Sequence, residues 1–427
     1  MNKKLGQDAI YDARELGIPR MLLLGLQHLF AMFGATVLVP ILVSGYGLPL
    51  SIQTTLLFAG IGTLLFHVCT KFKVPAFLGS SFAFLGGFQA VANLDSGKFA
   101  AMTGEEKLPY ALGGVVVAGL LYLVLALLFK LVGAKKVMRF FPPIVTGPII
   151  ILIGLNLSGT AVTNASTNWW LALCAIAIII VANIWGKGMI KIIPVLISLI
   201  VSYIVAIIMG AVSFDAVGTA AWVGLPNFHL PKFNADCIIA GLAVAVAAMV
   251  EHVGDVMAIG ATTGRNYIAD PGLTRTLLGD GIGTSLAGLL GGPANTTYSE
   301  NTGVVALTRV FDPFVMRIAA VMAIILSLSP KFEAVINSIP TAVIGGISFV
   351  LYGMIAATGI RTIVENQVDF VNMRNVLIAA IIMVSGLGFN TYPIHIGGVQ
   401  FGGLACAAVF GIILNAILPG KDYEFKE

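Results

Sequence analysis

The sequence predicts an all-α, polytopic membrane protein, and three observations support this fold class. Of the 427 residues, 58% are hydrophobic and only 10% are charged, whereas soluble globular proteins carry about 25% charged residues. The apolar residues form runs of roughly 20 residues, the length of a helix that crosses a bilayer. Loops rich in Lys and Arg alternate along the chain with loops that are poor in them. This pattern excludes a disordered chain, a coiled coil and a disulfide scaffold.

The apolar runs, separated by charged, proline-rich or glycine-rich breaks, predict fourteen membrane segments. In chain order the predicted segments are 21–45, 50–70, 74–93, 110–133, 140–163, 168–185, 188–213, 237–262, 274–292, 294–310, 312–329, 333–360, 374–393 and 395–418. Segments three, nine and ten are the least apolar, because each contains glycine or polar residues. No loop between the segments is long enough for a soluble catalytic domain.

The basic residues indicate how these segments lie in the membrane. With the N-terminus on the inner side, twenty of the 24 Lys and Arg residues fall in inner loops and tails, and four fall in outer loops. The outer four are Lys98, Lys107, Lys232 and Lys331. The positive-inside rule predicts this asymmetry for a protein of the cytoplasmic membrane with both termini in the cytoplasm. Because topology explains the net charge of +4, no nucleic-acid partner is expected, only the lipid bilayer.

The number of segments also predicts an internal repeat. Fourteen segments divide into two halves of seven. Because each half has an odd number of segments, the second half starts on the opposite side of the membrane and has the inverted orientation. Residues 142–149 in segment five match residues 340–347 in segment twelve at four of eight positions. Pro75-Ala76 in segment three also matches Pro293-Ala294 in segment ten. We therefore predict two inverted repeats of seven segments.

Four acidic residues fall inside the predicted segments. They are Glu251, Asp255, Asp280 and Glu300. A carboxylate at the centre of a membrane helix costs about 2.5–3.5 kcal/mol, so four acids within about fifty residues should face a polar cavity. Burial and mutual proximity favour the protonated form of such acids, which suits proton-coupled transport of a neutral substrate. A proton is the expected coupling ion and sodium an alternative; no cofactor and no metal motif are predicted.

Two of the least apolar segments contain breaks. Residues 79–82 and 297–301 each follow a proline and interrupt an apolar run. Non-helical backbone at membrane depth is tolerated only where it lines a cavity or is buried in protein. Free amides at the start of the half-helix that follows suit the carbonyl oxygens of a ligand. The sequence therefore predicts a ligand site between the acids and these breaks.

Residues 300–309 resemble the signature of the nucleobase–ascorbate transporter family, also called nucleobase:cation symporter family two. That signature is Gln or Glu, then Asn-x-Gly, four residues, Thr and a basic or small residue. Residues 27–36, 79–84 and 295–298 are also similar to bacterial members, so the resemblance covers nearly the whole chain. It implies short strands in segments three and ten, a homodimer, and two domains. The implied core domain comprises 21–133 and 237–329, and the implied gate domain comprises 140–213 and 333–418.

The resemblance also implies a function and its residues. The expected activity is proton-coupled uptake of uracil by alternating access between core and gate, and the protein is expected not to be an enzyme. The implied substrate-binding residues are Phe82, Glu251, Tyr298, Ser299, Glu300 and Tyr352. The implied proton-coupling and network residues are His28, Glu251, Asp255, Asp280 and Asn301. Two residues depart from the pattern: Ser299 stands where uracil-transporting members usually have Gly, and Asp255 stands where a well-known member has His.

Several alternatives compete with uracil transport. A purine permease for xanthine or urate is the first, but Glu300 only accepts hydrogen bonds, whereas the Gln of purine transporters both donates and accepts. An anion exchanger of the same architecture is disfavoured by the acidic cavity. An intramembrane enzyme using Glu251 and Asp255, four residues apart on one helix face, would leave the two broken segments without a role. A channel would not support uphill uptake.

Overall fold

The structure is a computed structural model, and it describes residues 8–396 and 399–420. Part of the predicted topology falls outside these ranges. Four of the basic residues assigned to the inner side lie in the tails, outside the described residues. They are Lys3, Lys4, Lys421 and Lys426. The predicted location of the two termini in the cytoplasm therefore stays a prediction.

The described residues are mostly helical. The helices are α1 Ile18–Gly45, α2 Ile52–Cys69, α3 Leu85–Ala92, α4 Gly104–Val132, α5 Ala134–Met138, α6 Pro143–Asn156, α7 Ser158–Ser166, α8 Trp169–Ile184, α9 Met189–Ile192, α10 Pro194–Ile208, α11 Asp215–Thr219, α12 Ala235–Thr263, α13 Leu273–Leu290, α14 Ser299–Thr308, α15 Phe314–Ser327, α16 Pro330–Asn337, α17 Thr341–Glu365, α18 Met373–Thr391 and α19 Gly403–Ile417. The strands are β1 Leu78–Ser80, β2 Asn295–Thr297, β3 Ile394–Ile396 and β4 Val399–Phe401.

Length and apolarity identify the helices that could cross a membrane. Within the described ranges seven spans qualify: α1, α2, α4, the pair α6–α7, α12, α17 and α18. The pair α15–α16 makes an eighth if its 86° bend is counted within one span. The helices α8, α10 and α19 are apolar but shorter. The prediction of a mostly helical, multi-pass membrane protein is confirmed.

Several predicted boundaries differ from the observed ones. Segment twelve was expected from residue 333, but α17 begins at Thr341, because α16 is a separate helix bent by 86° from α15. Segment fourteen was expected from 395, but the hairpin of β3 and β4 precedes α19. An apolar run of this length is compatible with either a strand or a helix. Helix α4 begins at Gly104, before the predicted residue 110, because Thr103 and Glu106 form a capping box.

Helices α2, α4, α12, α13 and α15 pack through small residues. Helix α13 lies against both α4 and α2, while α15 lies against α2 and α1. Gly119 of α4 faces Gly281 and Ser285 of α13, and Gly114 of α4 faces Gly241 of α12. Because a glycine lets two helix backbones approach closely, such contacts are common between membrane helices.

A second set of helices packs around α17. Helix α17 lies against α6, α7 and α8, while α18 lies against α19 and α6, and α10 lies against α8. Gly345 and Gly346 of α17 face the backbone at Ala165 and Ala172, respectively. The strands β1 and β2 do not belong to this set; they pack beside α1, α2, α12 and α13.

Candidate functional site

The two broken segments meet through their strands. Strand β1 pairs with β2 in antiparallel orientation, with Gly79 opposite Thr296 at the centre. The pairing continues beyond the strands: the Ser81 amide donates to the Ala294 carbonyl at 2.9 Å, and the Tyr298 amide donates to the Phe77 carbonyl at 3.0 Å. The strands expected in segments three and ten are therefore present. Their pairing brings the starts of α3 and α14 to one region.

Each strand is attached to the helix before it by a buried threonine. Thr63 of α2 accepts from the Leu78 amide at 2.9 Å, and its hydroxyl lies 2.8 Å from the Ala59 carbonyl and 3.2 Å from the Leu78 carbonyl. Thr284 of α13 accepts from the Asn295 amide at 3.1 Å and donates to the Asn295 carbonyl at 3.2 Å. The two halves of the chain thus hold their strands by the same arrangement.

Glu300 and Ser299 face one cavity. They are the first two residues of α14; Ser299 is exposed and Glu300 is half-buried. The cavity has a volume of about 200 Å³ and is walled by residues of α1, including Gly34, and of α10, including Val195, and Lys191 of α9 also lines it. The first N–H groups of a helix have no partner within the helix, so the start of α14 offers donors beside an acceptor carboxylate. We call this space the acid-lined cavity.

Glu251 lies on an exposed face of α12. Gly254, Ala258 and Ala261 continue this exposed face toward the end of the helix. These residues are small, and a side chain added at Gly254 would meet no atom within 4 Å. Helix α12, which carries Glu251, packs against α14, which carries Glu300. The structure therefore places the helices of the two predicted carboxylates side by side.

Asp255 lies one helical turn after Glu251 and connects α12 to β2. Its Oδ2 accepts a hydrogen bond from the Thr297 hydroxyl at 2.8 Å. The side chain is half-buried. This hydrogen bond ties α12, which carries both Asp255 and Glu251, to the strand that leads into α14 and Glu300.

Asp280, the fourth acid, is paired with a histidine. Nδ1 of His252 lies 2.9 Å from Oδ2 of Asp280, and neither side chain is exposed. The ring of Phe66 packs edge-on against His252, with 6.3 Å between centroids. His252 was not among the predicted functional residues. A signal existed, because this histidine directly follows the intramembrane Glu251.

His28 and Asn301 are in direct contact, as expected for two members of one network. Nδ2 of Asn301 donates to the His28 carbonyl at 3.0 Å and lies 3.3 Å from Nδ1 of the same histidine. Both side chains are fully buried. This contact joins α14 to α1, directly behind the residues that line the acid-lined cavity.

The predicted aromatic residues occupy different environments. The structure places Tyr298 within the packing and not on the cavity wall expected for it, since its ring lies on Gly79 and only 4% of the residue is exposed. Its hydroxyl donates to the Ser80 carbonyl at 2.8 Å. Tyr352 is also buried, beside Tyr46. Phe82 is half-buried just before α3.

Tyr352 has neighbours that do face the acid-lined cavity. The residues of α17 that line this cavity are Leu351 and Met354. Tyr352 is not among the residues that line this cavity, and its role in substrate binding stays a prediction.

A second cavity, of about 250 Å³, lies between α3, α12, α18 and α19. Its polar wall consists of four amides and the carboxylate of Asp236, so we call it the amide-lined cavity; the amides are those of Gln89, Asn93, Asn156 and Asn390. Val244 of α12 forms part of its floor. Because Val244 precedes Glu251 by seven residues, the two positions are separated by about 10 Å along the helix axis.

Comparisons with known proteins agree with the sequence motifs. Residues 19–395 match the model of the Permease family. The chain is 42% identical over 413 residues to the uracil permease of Bacillus caldolyticus, covering 93% of this chain and 92% of that one. It is 42% identical over 418 residues to the uracil permease of Bacillus subtilis (strain 168), with the same coverage. The transmembrane domain of the cyanobacterium bicarbonate transporter BicA has a similar fold, with a TM-score of 0.63 at 18% identity over 95% of this chain and 98% of that one.

Proposed function

The chain belongs to the Permease family, together with the uracil permeases to which it is 42% identical, and from this premise we propose that it carries uracil across a membrane. It is a transporter and not an enzyme. The observation that carries the substrate proposal is the pair Glu251 and Glu300, two carboxylates on helices α12 and α14 that pack against each other, with Glu300 in the first turn of α14.

Uracil and this site have complementary polar groups. Uracil has two ring N–H donors and two carbonyl acceptors. The carboxylates of Glu251 and Glu300 accept hydrogen bonds, and backbone amides near Phe82 and Ser299 donate them. Because an ionised carboxylate does not donate, the site favours uracil over purines whose recognition needs a donor at the position of Glu300.

We propose that transport proceeds by alternating access between a core domain, residues 21–133 and 237–329, and a gate domain, residues 140–213 and 333–418. The packing supports this division, because the helices within each set contact one another more extensively than those of the other set. Both cavities lie where helices of the two sets meet. Among the described residues, hydrogen bonds across this boundary include that from Gln89 to Thr160 at 3.2 Å and those from the Ser51 hydroxyl and the Ile52 amide to Glu333.

We further propose that the chain forms two inverted repeats of seven membrane segments. The helix–helix contacts are preserved when each helix is replaced by its counterpart in the other half of the chain. The counterpart pairs are α1 and α12, α2 and α13, α4 and α15, α6 and α17, α8 and α18, and α10 and α19. For example, α2 packs on α15 as α13 packs on α4, and α8 packs on α17 as α18 packs on α6. The matching threonine–strand hydrogen bonds of Thr63 and Thr284 support the same relation.

The coupling ion in this proposal is a proton. Four acids gathered around a site for a neutral base bind protons more readily than isolated carboxylates do, because proximity disfavours their simultaneous ionisation. Our remaining proposals concern assembly: a homodimer in the cytoplasmic membrane, with both termini inside. They rest on the family resemblance and on the distribution of the basic residues.

Uptake of labelled uracil into proteoliposomes tests the proposal. We expect accumulation driven by an inward proton gradient, without competition by adenine or xanthine. Glu300→Gln should strongly lower this uptake, because the neutral amide loses the charge-assisted hydrogen bond to a uracil N–H. Glu105→Gln, at an exposed position in the first turn of α4, is the matched control and should transport normally. Entry of xanthine in place of uracil would refute the substrate, and accumulation driven by sodium alone would refute the proton.

A further inference from the structure

The amide-lined cavity is not part of the proposed uracil site. It shares no lining residue with the acid-lined cavity, and its floor lies about 10 Å along α12 from Glu251. The cavity lies where α3 and α18 end and where α12 and α19 begin. The loops at these ends hold Lys98 and Lys232, two of the four basic residues assigned to the outer side. On the predicted topology, the cavity therefore lies on the outer side of the membrane.

Three of its four amides are each fixed by one polar atom. Nε2 of Gln89 donates to a hydroxyl of α7 at 3.2 Å, and Nδ2 of Asn156 donates to a carbonyl of α18 at 3.3 Å. Oδ1 of Asn390 accepts from the first amide of α19 at 3.1 Å. Among residues 8–396 and 399–420, the other polar atom of each of these side chains makes no hydrogen bond. Two acceptors and one donor are therefore held in place and remain available to a ligand.

Asn93 supplies a complete amide. Its side chain is exposed and makes no hydrogen bond within the part of the chain that the structure describes. The backbone on either side is fixed, because Nζ of Lys107 donates to the carbonyls of Ala92 and Leu94, at 3.0 and 2.7 Å. An amide side chain has a donor beside an acceptor. Asn93 can therefore pair with a ligand edge on which an N–H and a carbonyl are adjacent.

Apolar walls flank these polar groups. The lining residues of α12 recur at spacings of three and four from Asp236 to Val244, so they form one face of the helix. Phe389 of α18 and Leu404 of α19 line the cavity from the gate side. Among the described lining residues none is basic, which suits a neutral ligand. The volume of about 250 Å³ is close to the lower end of the range for small-molecule sites, about 300–1,000 Å³, and suits a single ring.

We propose that the amide-lined cavity is a second binding site, on the outer side of the membrane, for a neutral single-ring base with adjacent N–H and carbonyl groups. The amides pair with the edges of the ring, and the apolar walls cover its faces. Uracil belongs to this class of ligand, and its choice as the ligand rests on the proposed function. Because the walls come from both proposed domains, a bound base contacts core and gate together.

Photo-crosslinking with 4-thiouracil tests this site, because the excited thiobase bonds covalently to residues that it touches. The full chain is irradiated in detergent with the probe below saturation, and adducts are mapped by mass spectrometry of its peptides. We expect two sets of adducts that excess uracil removes. One set lies at the amide-lined cavity, in residues 86–94 or 389–405, and the other lies in α1 or α14, beside Glu300.

Two substitutions should separate the two sites. Asn93→Leu keeps a branched side chain but has neither donor nor acceptor. It should lower the adducts at the amide-lined cavity about fivefold or more, because a bidentate amide contact to a base contributes at least that factor. The adducts beside Glu300 should not change, whereas Glu300→Gln should lower only those. Asn366→Leu is the matched control, since Asn366 is also exposed, bonds to its own helix and lines neither cavity. It should retain both sets.

The outcomes distinguish this inference from the proposed function. If uracil removes adducts only beside Glu300, the second site is overturned and the proposed function stands. Undiminished adducts at the amide-lined cavity in folded Asn93→Leu protein would also overturn it, because the amide would then not hold the base. If uracil removes no adduct anywhere, the choice of ligand is wrong and both proposals fail. Thermal unfolding in detergent reports folding, and Asn390→Leu decides the question if Asn93→Leu does not fold.

Discussion

At the scale of single residues, neighbours in sequence at the break before α14 have opposite environments. Glu300 faces the acid-lined cavity, while Tyr298, two residues earlier, is buried against Gly79. The difference follows from the strand pairing, because β1 and β2 bring Gly79 next to the start of α14 and its missing side chain leaves room for a ring. The tyrosine joins the two broken segments, and the glutamate remains available to a ligand.

This contrast predicts a limited effect for Tyr298→Phe. The change removes the hydrogen bond from the hydroxyl to the Ser80 carbonyl and leaves the ring on Gly79. We expect a loss of about 1–3 kcal/mol in stability, because a buried carbonyl loses its donor. Uracil affinity should change little. Thermal unfolding and equilibrium binding of uracil in detergent measure the two effects. A large loss of affinity at unchanged stability would mean that the hydroxyl contacts the ligand.

At the scale of elements, the broken segments depend on their neighbours. Three-residue strands have too few hydrogen bonds to be stable alone. Here each strand pairs with the other and is also bonded to a threonine of the preceding helix, Thr63 or Thr284. The backbone groups freed by the breaks are thereby satisfied inside the protein, as membrane depth requires.

Helix contacts at this scale predict different outcomes for two glycine substitutions. Both Gly119→Ala and Gly353→Ala gain about 1 kcal/mol of helix propensity. At Gly119 the added methyl group would meet the Ser285 amide at 2.6 Å and the Gly281 carbonyl at 2.7 Å, whereas at Gly353 it meets no atom within 4 Å. We expect Gly119→Ala to lower the unfolding temperature, since overpacking costs about 1–3 kcal/mol.

Gly353→Ala serves as the control in the same thermal-unfolding assay. It should equal or exceed the wild-type protein in stability. Equal unfolding temperatures for the two variants would show that α4 and α13 separate easily to admit a methyl group, contrary to their close packing.

At the scale of the whole molecule, the two cavities are separate and share no lining residue. The acid-lined cavity reaches Glu300, and the floor of the amide-lined cavity lies about 10 Å along α12 from Glu251. Both cavities lie between helices of the proposed core and gate domains. A rigid movement of one domain against the other would therefore change the access of both cavities together.

This arrangement predicts that a reversible bridge across the boundary stops transport. In a chain whose four native cysteines are replaced by alanine, Gln89→Cys with Thr160→Cys introduces thiols where the core–gate hydrogen bond stood. A short, reducible bifunctional thiol reagent should lower uptake by about tenfold or more, because the domains cannot move apart. Reduction should restore uptake.

The matched control is Tyr203→Cys with Ser338→Cys, whose native hydroxyls lie 2.5 Å apart within the proposed gate domain. Bridging this pair should leave uptake intact. Uracil binding to the bridged Gln89–Thr160 protein should persist in detergent, since Glu251 and Glu300 lie elsewhere. Undiminished uptake after complete bridging of Gln89→Cys and Thr160→Cys would contradict alternating access between these domains.

The sequence by itself determined the membrane class, the positions of most helices and the four intramembrane acids. These features depend on the energy of placing each residue in lipid, which is a local property. An apolar run is stable there, whereas a carboxylate is costly unless it faces the protein interior or a polar cavity, and it therefore marks a functional site. The paired breaks were predictable for the same reason, since non-helical backbone at Gly79 and Thr297 needs partners within the protein.

Only the tertiary structure decided which polar residues face a ligand and which face each other. Tyr298 and Ser80 are separated by 218 positions, and His252 contacts Asp280 across two helices. Such contacts depend on which helices pack together and on where a glycine admits a ring, and no local pattern contains that information. The hairpin of β3 and β4 was missed for a related reason, because a short apolar run has the same composition whether it forms a strand or continues a helix.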